Sequence, residues 1–255
     1  MKINDIIGVI EDFAPLDLQE EYDNSGLVIG DREKEVVKVL IAVDVTEDVV
    51  DEAIREGAGL IISHHPIIFN PIRYITTDDL RGELLLKIIR NDIAVYAAHT
   101  NVDNADESIA REFLEGLDAE NICPMVDCSG IYGSLSKPLT FGQLIEKIRA
   151  YTGDSNIKTI GNFEDIVEEI SFLNGANGNS EDLLVQAGSL SDVMITSEVR
   201  YHIASMAKQL DINIIELGHF ESEKCFMELI CRKLKEKIKA AEILISKESK
   251  SPYNN

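Results

Sequence analysis

The sequence predicts an α/β protein of two domains, with mixed, largely parallel sheets flanked by helices. Three observations lead there. A strand, a helix and a strand follow one another at βαβ length between residues 36 and 62, a further helix and strand occupy 79–98, and the same alternation resumes after residue 140. At 255 residues the chain can bury two small cores or one large one.

Taken in order, Asp5 is expected to cap a short helix reaching about Phe13, and D-N-S-G (23–26) reads as a turn before L-V-I-G. V-V-K-V-L-I-A-V (36–43) has the unbroken apolar character of a buried strand, and T-E-D-V-V-D-E-A-I-R-E (46–56) is a helix capped by Thr46. A-G-L-I-I (58–62) is the second strand, a helix follows over about 79–90, and D-I-A-V-Y-A-A (92–98) is a strand that ends at His99. After Cys123-Pro124 the stretch D-C-S-G-I-Y-G-S reads as a junction, dividing a first domain (1–126) from a second (127–255). In the second, helices at 140–151, 180–188 and 198–210 alternate with strands at 166–173, 192–196 and 211–217. A long final helix starts at Phe220, and the tail S-K-E-S-K-S-P-Y-N-N is expected to fray. D-I-A-V-Y-A-A-H (92–99) and D-I-N-I-I-E-L-G-H (211–219) both follow a helix and deliver a histidine past a strand, which is either a trace of duplication or a chance match.

With 46 acidic and 24 basic residues the formal net charge is −22, which argues against a broad nucleic-acid-binding face, because such faces neutralise phosphates with Lys and Arg. A bound metal could still attract an anionic small molecule. No apolar run reaches the roughly 20 residues of a membrane helix, and the first ten residues lack a signal-peptide pattern, so a soluble, cytoplasmic protein without a membrane partner is expected. Cys123, Cys128, Cys225 and Cys231 lack C-x-x-C spacing and are expected to be reduced thiols.

Chemistry concentrates in the histidines. His64, His65, His99 and His219 each come directly after a strand, and ligand sites of open α/β sheets lie beyond the carboxyl ends of the strands. Asp103 lies four residues past His99 and Glu223 four past His219, one helical turn in the latter case. Any single strand-end histidine is more often a packing residue, but several of them with carboxylates point to a shared metal site. Imidazole and carboxylate together suit zinc, manganese, iron, cobalt or nickel. Adjacent side chains in extended backbone point to opposite faces, so His64 and His65 suggest two ions rather than one. His202 either faces the same crevice or packs. Asp44 either orients a histidine or, as expected here, caps the next helix, and Glu221 is expected to be solvated. N-G-A-N-G-N (174–179) lacks G-K-[ST] and reads as a strand-to-helix turn in preference to a phosphate cradle. The acidic run at 163–170 reads as a strand with one polar face.

The motifs S-H-H-P-I-I-F, A-H-T-N-V-D-N and G-H-F-E-S-E, in that order and with E-Y-D-N-S-G-L near the start, resemble the Nif-three-like family, whose members are often named GTP cyclohydrolase I type 2 homologues. The resemblance spans nearly the whole chain. It implies two divalent metal ions in a cleft between two α/β domains, and a hollow homohexamer. Carried over motif by motif, it implies His64, His65, Asp103, His219 and Glu223 as metal ligands, Glu223 as the bridge, and His99 as a proton-handling residue beside them. His99 and His202 are accordingly the catalytic candidates. The family's Gly-Arg stretch at the junction reads G-I-Y-G here, its T-G before the second histidine helix reads Thr196-Ser197, and the mid-chain insertion domain of many members is absent. The implied activity is hydrolysis of a nucleotide or related heterocycle. A non-catalytic metal- or cofactor-precursor-binding protein, or a ring-shaped scaffold with structural metals, is the alternative.

Overall fold

The structure, a computed structural model, describes residues 1–126 and 130–253. Cys128 and the core of the expected junction, residues 127–129, lie outside the described residues. The chain forms two units. One comprises Met1–Glu107 with Phe226–Lys250; the other comprises Ser108–Cys225, joined by the described residues from Ser251 on.

The first stretch carries helix α1 (Ile3–Phe13), strands β1 (Gly26–Ile29) and β2 (Lys38–Ala42), helix α2 (Glu47–Glu56), strand β3 (Leu60–Ser63), helix α3 (Leu80–Arg90), strand β4 (Ala94–Ala97) and the single turn α4 (Thr100–Asp103). The second carries α5 (Ile109–Gly116), β5 (Ala119–Pro124), β6 (Ile131–Thr140), α6 (Phe141–Thr152), β7 (Lys158–Ile160) and β8 (Ile166–Leu173). It continues through α7 (Glu181–Leu190), β9 (Val193–Ser197), α8 (Tyr201–Leu210), β10 (Asn213–Leu217) and α9 (His219–Glu223). Helix α10 (Cys225–Lys237) and strand β11 (Glu242–Ile245) close the chain.

In the first unit the sheet runs β1-β4-β3-β2-β11, with β4, β3, β2 and β11 mutually parallel and β1 antiparallel at the edge. The expected βαβ unit is present. Thr46 caps α2 by accepting the Val49 N–H, and Val49, Val50 and Ala53 on its inner face are buried with Leu40, Ile61 and Val95 of the sheet. Strands covered on both faces read as unbroken apolar runs, which is why 36–43 and 58–62 were legible.

The second sheet runs β5-β6-β8-β9-β10-β7, parallel among β8, β9 and β10 and antiparallel towards both edges. Leu184, Ala187, Ile203 and Ala207 of α7 and α8 bury against Leu173, Met194 and Ile214. Four details differ from expectation. Helix α1 begins two residues before Asp5, because the buried stripe starts at Ile3; Asp5 instead accepts the Lys2 N–H from the third helical position. I-Y-G-S, read as part of a junction, opens the long strand β6, where Gly133 admits the Glu120 carbonyl so closely that a Cβ would sit 2.9 Å from it. The final helix is two helices, α9 and α10. Strand β11 joins β2 in parallel just before the tail, and the first tail residues are held rather than frayed: the buried Glu52 carboxylate accepts hydrogen bonds from the Ser246 hydroxyl and the Lys247 and Glu248 amides.

Both units share one element order. Helix, antiparallel edge strand, then strand-helix-strand-helix-strand and a terminal helical turn describes α1 to α4 and equally α6 to α9. The last parallel strands of the two series, β4 and β10, are the ones in the two similar segments D-I-A-V-Y-A-A-H and D-I-N-I-I-E-L-G-H.

Candidate metal centre

In the first unit, the carboxyl ends of the parallel strands deliver Asp44 after β2, His64 and His65 after β3, and His99 after β4. The backbone leaves the strand at Ser63 and bends, with the amides of His64 and His65 both reaching the Val43 carbonyl. The two rings therefore do not point to opposite faces. Their centroids are 4.9 Å apart, each lies within 5.5 Å of the His99 ring, and one ligand atom from each of the three comes within 4.8 Å of the others. This removes the argument for two ions based on adjacent side chains diverging. His99 takes the N-cap position of α4, and Asp103 closes that turn with its Oδ1 3.9 Å from His64 Nε2.

Each ring is fixed by its Nδ1. His64 Nδ1 lies 3.0 Å from the Ala98 carbonyl oxygen, which can only accept, so Nδ1 carries the proton and Nε2 is the ligand atom. His65 Nδ1 donates to Asp44 Oδ1 at 2.8 Å and His99 Nδ1 to Asp23 Oδ1 at 2.8 Å. The expectation that Asp44 caps a helix fails because Thr46 holds that position. Asp23 also accepts the Thr100 N–H at 3.1 Å and the Thr100 hydroxyl. Burial alone would raise its pKa. The His99 ring, the Thr100 hydroxyl and the Asn24 amide outweigh burial and hold the carboxyl well below the usual carboxylate range. Nearby, burial and the carboxylates of Glu20, Asp23 and Asp103 raise the Tyr22 phenol.

In the second unit, His219 opens α9 and Glu223 closes it, one turn apart as the spacing predicts. His219 Nδ1 donates to Glu198 Oε1 at 2.7 Å, and its Nε2 lies 3.0 Å from Oε2 of the buried Glu223. With Nδ1–H committed to Glu198, the contact between Nε2 and Glu223 needs either a proton shared between them or a cation held by both. Glu198 is held in the left-handed region at φ 56°, a costly place for a non-glycine residue, directly after β9. Gly175, at φ 61°, opens the turn 174–179; a Cβ there would lie 3.2 Å from Glu223 Oε1, so the absent side chain leaves room beside that carboxylate. The turn leads into a helix capped by Ser180, as expected of a plain connection.

The structure thus gathers His64, His65, His99 and Asp103 in one unit and His219 with Glu223 in the other. His202 is exposed in the first turn of α8 and has no hydrogen bond or ion pair among the described residues. Glu221 is buried, not solvated, because its side chain folds back against Gly218. The sequence reading missed Asp23 and Glu198 as ring-orienting residues. Only the presence of Asp23 in E-Y-D-N-S-G-L signalled it.

Anchored imidazoles whose second nitrogens stand beside carboxylates are the donor set that a first-row divalent ion takes, and the oxygen partner on each Nδ1 is what fixes a ligating histidine. Fold and clusters together define a two-unit α/β protein with histidine–carboxylate groups able to hold a metal ion. The chain belongs to the Duf34/NIF3 (NGG1p interacting factor 3) family, whose model matches residues 1–252. A Clostridium perfringens protein named GTP cyclohydrolase 1 type 2 homolog is 37% identical over 262 residues, covering 99% of each chain. The Bacillus cereus protein related to NIF3 has a structure that matches with a TM-score of 0.90 at 26% identity, over 100% of this chain and 99% of that one. Reduced HcgD from Methanocaldococcus jannaschii matches with a TM-score of 0.84 at 28% identity, over 96% and 97% of the two chains. Among the described residues no helix is long and apolar enough to cross a membrane, and Cys123, Cys225 and Cys231 are free thiols.

Proposed function

We propose that this protein is a dinuclear metal-dependent hydrolase acting on a nucleotide or related heterocycle. The residues that would hold the metal are His64, His65, Asp103, His219 and Glu223. The observation that carries this reading is the set of four histidines whose Nδ1 atoms are each tied to an oxygen, so that each keeps Nε2 as its ligand or proton-exchanging atom. The names of the relatives, GTP cyclohydrolase 1 type 2 homolog among them, support the substrate class.

Bound ions of this kind would lower the pKa of a coordinated water and polarise the substrate's electrophilic centre. The chain's own residues do the rest. Asp44 and Glu198 hold His65 and His219 in their ligating tautomers and orientations. His99, with Nδ1–H fixed on Asp23, accepts a proton at Nε2, and the Asp23 charge stabilises the imidazolium that forms. His202, exposed on α8, exchanges protons with solvent. The chain assembles as a homohexamer in the cytoplasm.

The test is hydrolysis of a panel of nucleoside triphosphates, purine heterocycles and phosphoesters by the metal-loaded protein, alongside metal analysis. Glu223→Ala is expected to reduce both turnover, by at least a hundredfold, and bound metal. A wild type that holds metal and turns over nothing in the panel counts against catalysis; unchanged metal in Glu223→Ala counts against Glu223 as a ligand.

A further inference from the structure

Phe69, the last residue of S-H-H-P-I-I-F, lies four residues past His65, and Tyr22 directly precedes Asp23 in E-Y-D-N-S-G-L. In space they meet. The Tyr22 and Phe69 rings have centroids 6.3 Å apart with their planes inclined at 53°, and Phe69 stands edge-on to His99 at 6.3 Å. Folding leaves both rings in water: Tyr22 is 67% and Phe69 42% exposed. Both rings therefore keep apolar surface that a planar ligand could cover.

The platform is also held in place. Asn24 donates its amide to the Ile68 carbonyl at 2.6 Å and so fixes the backbone that carries Phe69. Asp23, between Tyr22 and Asn24, is itself locked onto His99 and Thr100. One short segment therefore ties the exposed rings and the His99 imidazole into a single rigid group. Planes inclined at 53° cannot sandwich a ligand between them, but the exposed face of either ring is a ledge that could stack against one planar ring. Stacking of this kind tolerates many ring types, because every base has a π-face.

We infer that Tyr22 and Phe69 form the subsite that takes a planar heteroaromatic ring of the substrate, holding it at the His99 side of the cluster. This rests on the metal-site reading only for what is done to the ring, not for the ring's binding. The Tyr22 hydroxyl could hydrogen-bond the ring edge, whereas a sugar phosphate alone gains nothing from either face.

The test measures binding to the full-length, metal-loaded protein by saturation-transfer NMR and calorimetry. Guanosine, adenosine and a pterin serve as ring probes without phosphate, and ribose 5-phosphate as a phosphate probe without a ring. At least one ring probe is expected to bind wild type, and Phe69→Leu and Tyr22→Leu, which keep an apolar side chain but remove the π-face, should each weaken it about fivefold or more, the equivalent of losing one ring stack. Ribose 5-phosphate binding and metal content should not change. No ring probe bound by wild type, equal ring binding in the variants, or variants that lose their oligomeric state in place of ring affinity would each overturn the inference; the last would identify the ledge as a contact with a second copy. Repeating the ring titration after metal removal separates the two readings: ring binding that survives supports the ledge independently of metal, whereas a wild type that takes up no metal yet binds the ring contradicts the metal site alone.

Discussion

At the scale of single residues, the chemistry depends on atoms far apart in sequence. Asp44 lies 21 residues before His65 and Asp23 lies 76 before His99, yet each carboxylate sits 2.8 Å from its ring. The histidines were legible because S-H-H-P and A-H-T-N stand at strand ends. Of their orienting partners, Asp23 looks in sequence like a turn residue, and Asp44 reads as either a ring orienter or a helix cap until the register of β2 beside β3 brings it to His65. The pairing of His64 with His65 was misread for a local reason: the alternation rule applies within a strand, and the strand ends at Ser63. If Asp44 holds the His65 tautomer, Asp44→Ala should lower metal affinity by about 10- to 100-fold with the fold unchanged. Competition against a chelator, with circular dichroism as the folding control, measures this, and unchanged affinity would leave Asp44 with no part in the centre.

At the scale of elements, the buried parallel strands could be read from sequence and the edges could not. β2, β3, β4, β8, β9 and β10 were anticipated within a few residues, because their apolar runs alternate with capped amphipathic helices. β5, β6, β7 and β11 lie at or towards sheet edges, short or interrupted by polar residues, glycine and proline, so nothing in their composition separates them from loops. The tail is the clearest case, since its order comes from Glu52, nearly two hundred residues away. Burial tends to raise the Glu52 pKa, but the Ser246 hydroxyl and the Lys247 and Glu248 amides, which bind only the ionised form well, bring it below the ordinary 4.5. A depressed carboxyl contributes stability that is fully present above the unfolded value and is lost as pH falls through the folded one. Glu52→Gln should therefore destabilise the chain near pH 7 by about 1–3 kcal/mol, with the gap from wild type closing as pH falls below the ordinary 4.5 and through the lower folded value. Urea midpoints against pH measure it; a gap that does not depend on pH would show that the carboxylate charge is not what holds the tail.

At the scale of the whole molecule, the repeated order of elements accounts for why both units present a histidine followed one turn later by a carboxylate: His99 with Asp103 after β4, and His219 with Glu223 after β10. The sequence carried that repeat as one short match, too brief to establish by itself, because the side chains that fill each core are free to vary while strand order is not. The net charge of −22 gives each chain a negative field that divalent cations would reduce, in keeping with clustered histidines and carboxylates serving as ligands. The central claim is that His64, His65, Asp103, His219 and Glu223 hold metal. Its most direct test is elemental analysis of the purified full chain together with His64→Ala and Asp103→Ala. Two first-row divalent ions per wild-type chain and a clear loss in each variant are expected, with circular dichroism showing both still folded. Full metal occupancy in the two folded variants would contradict it.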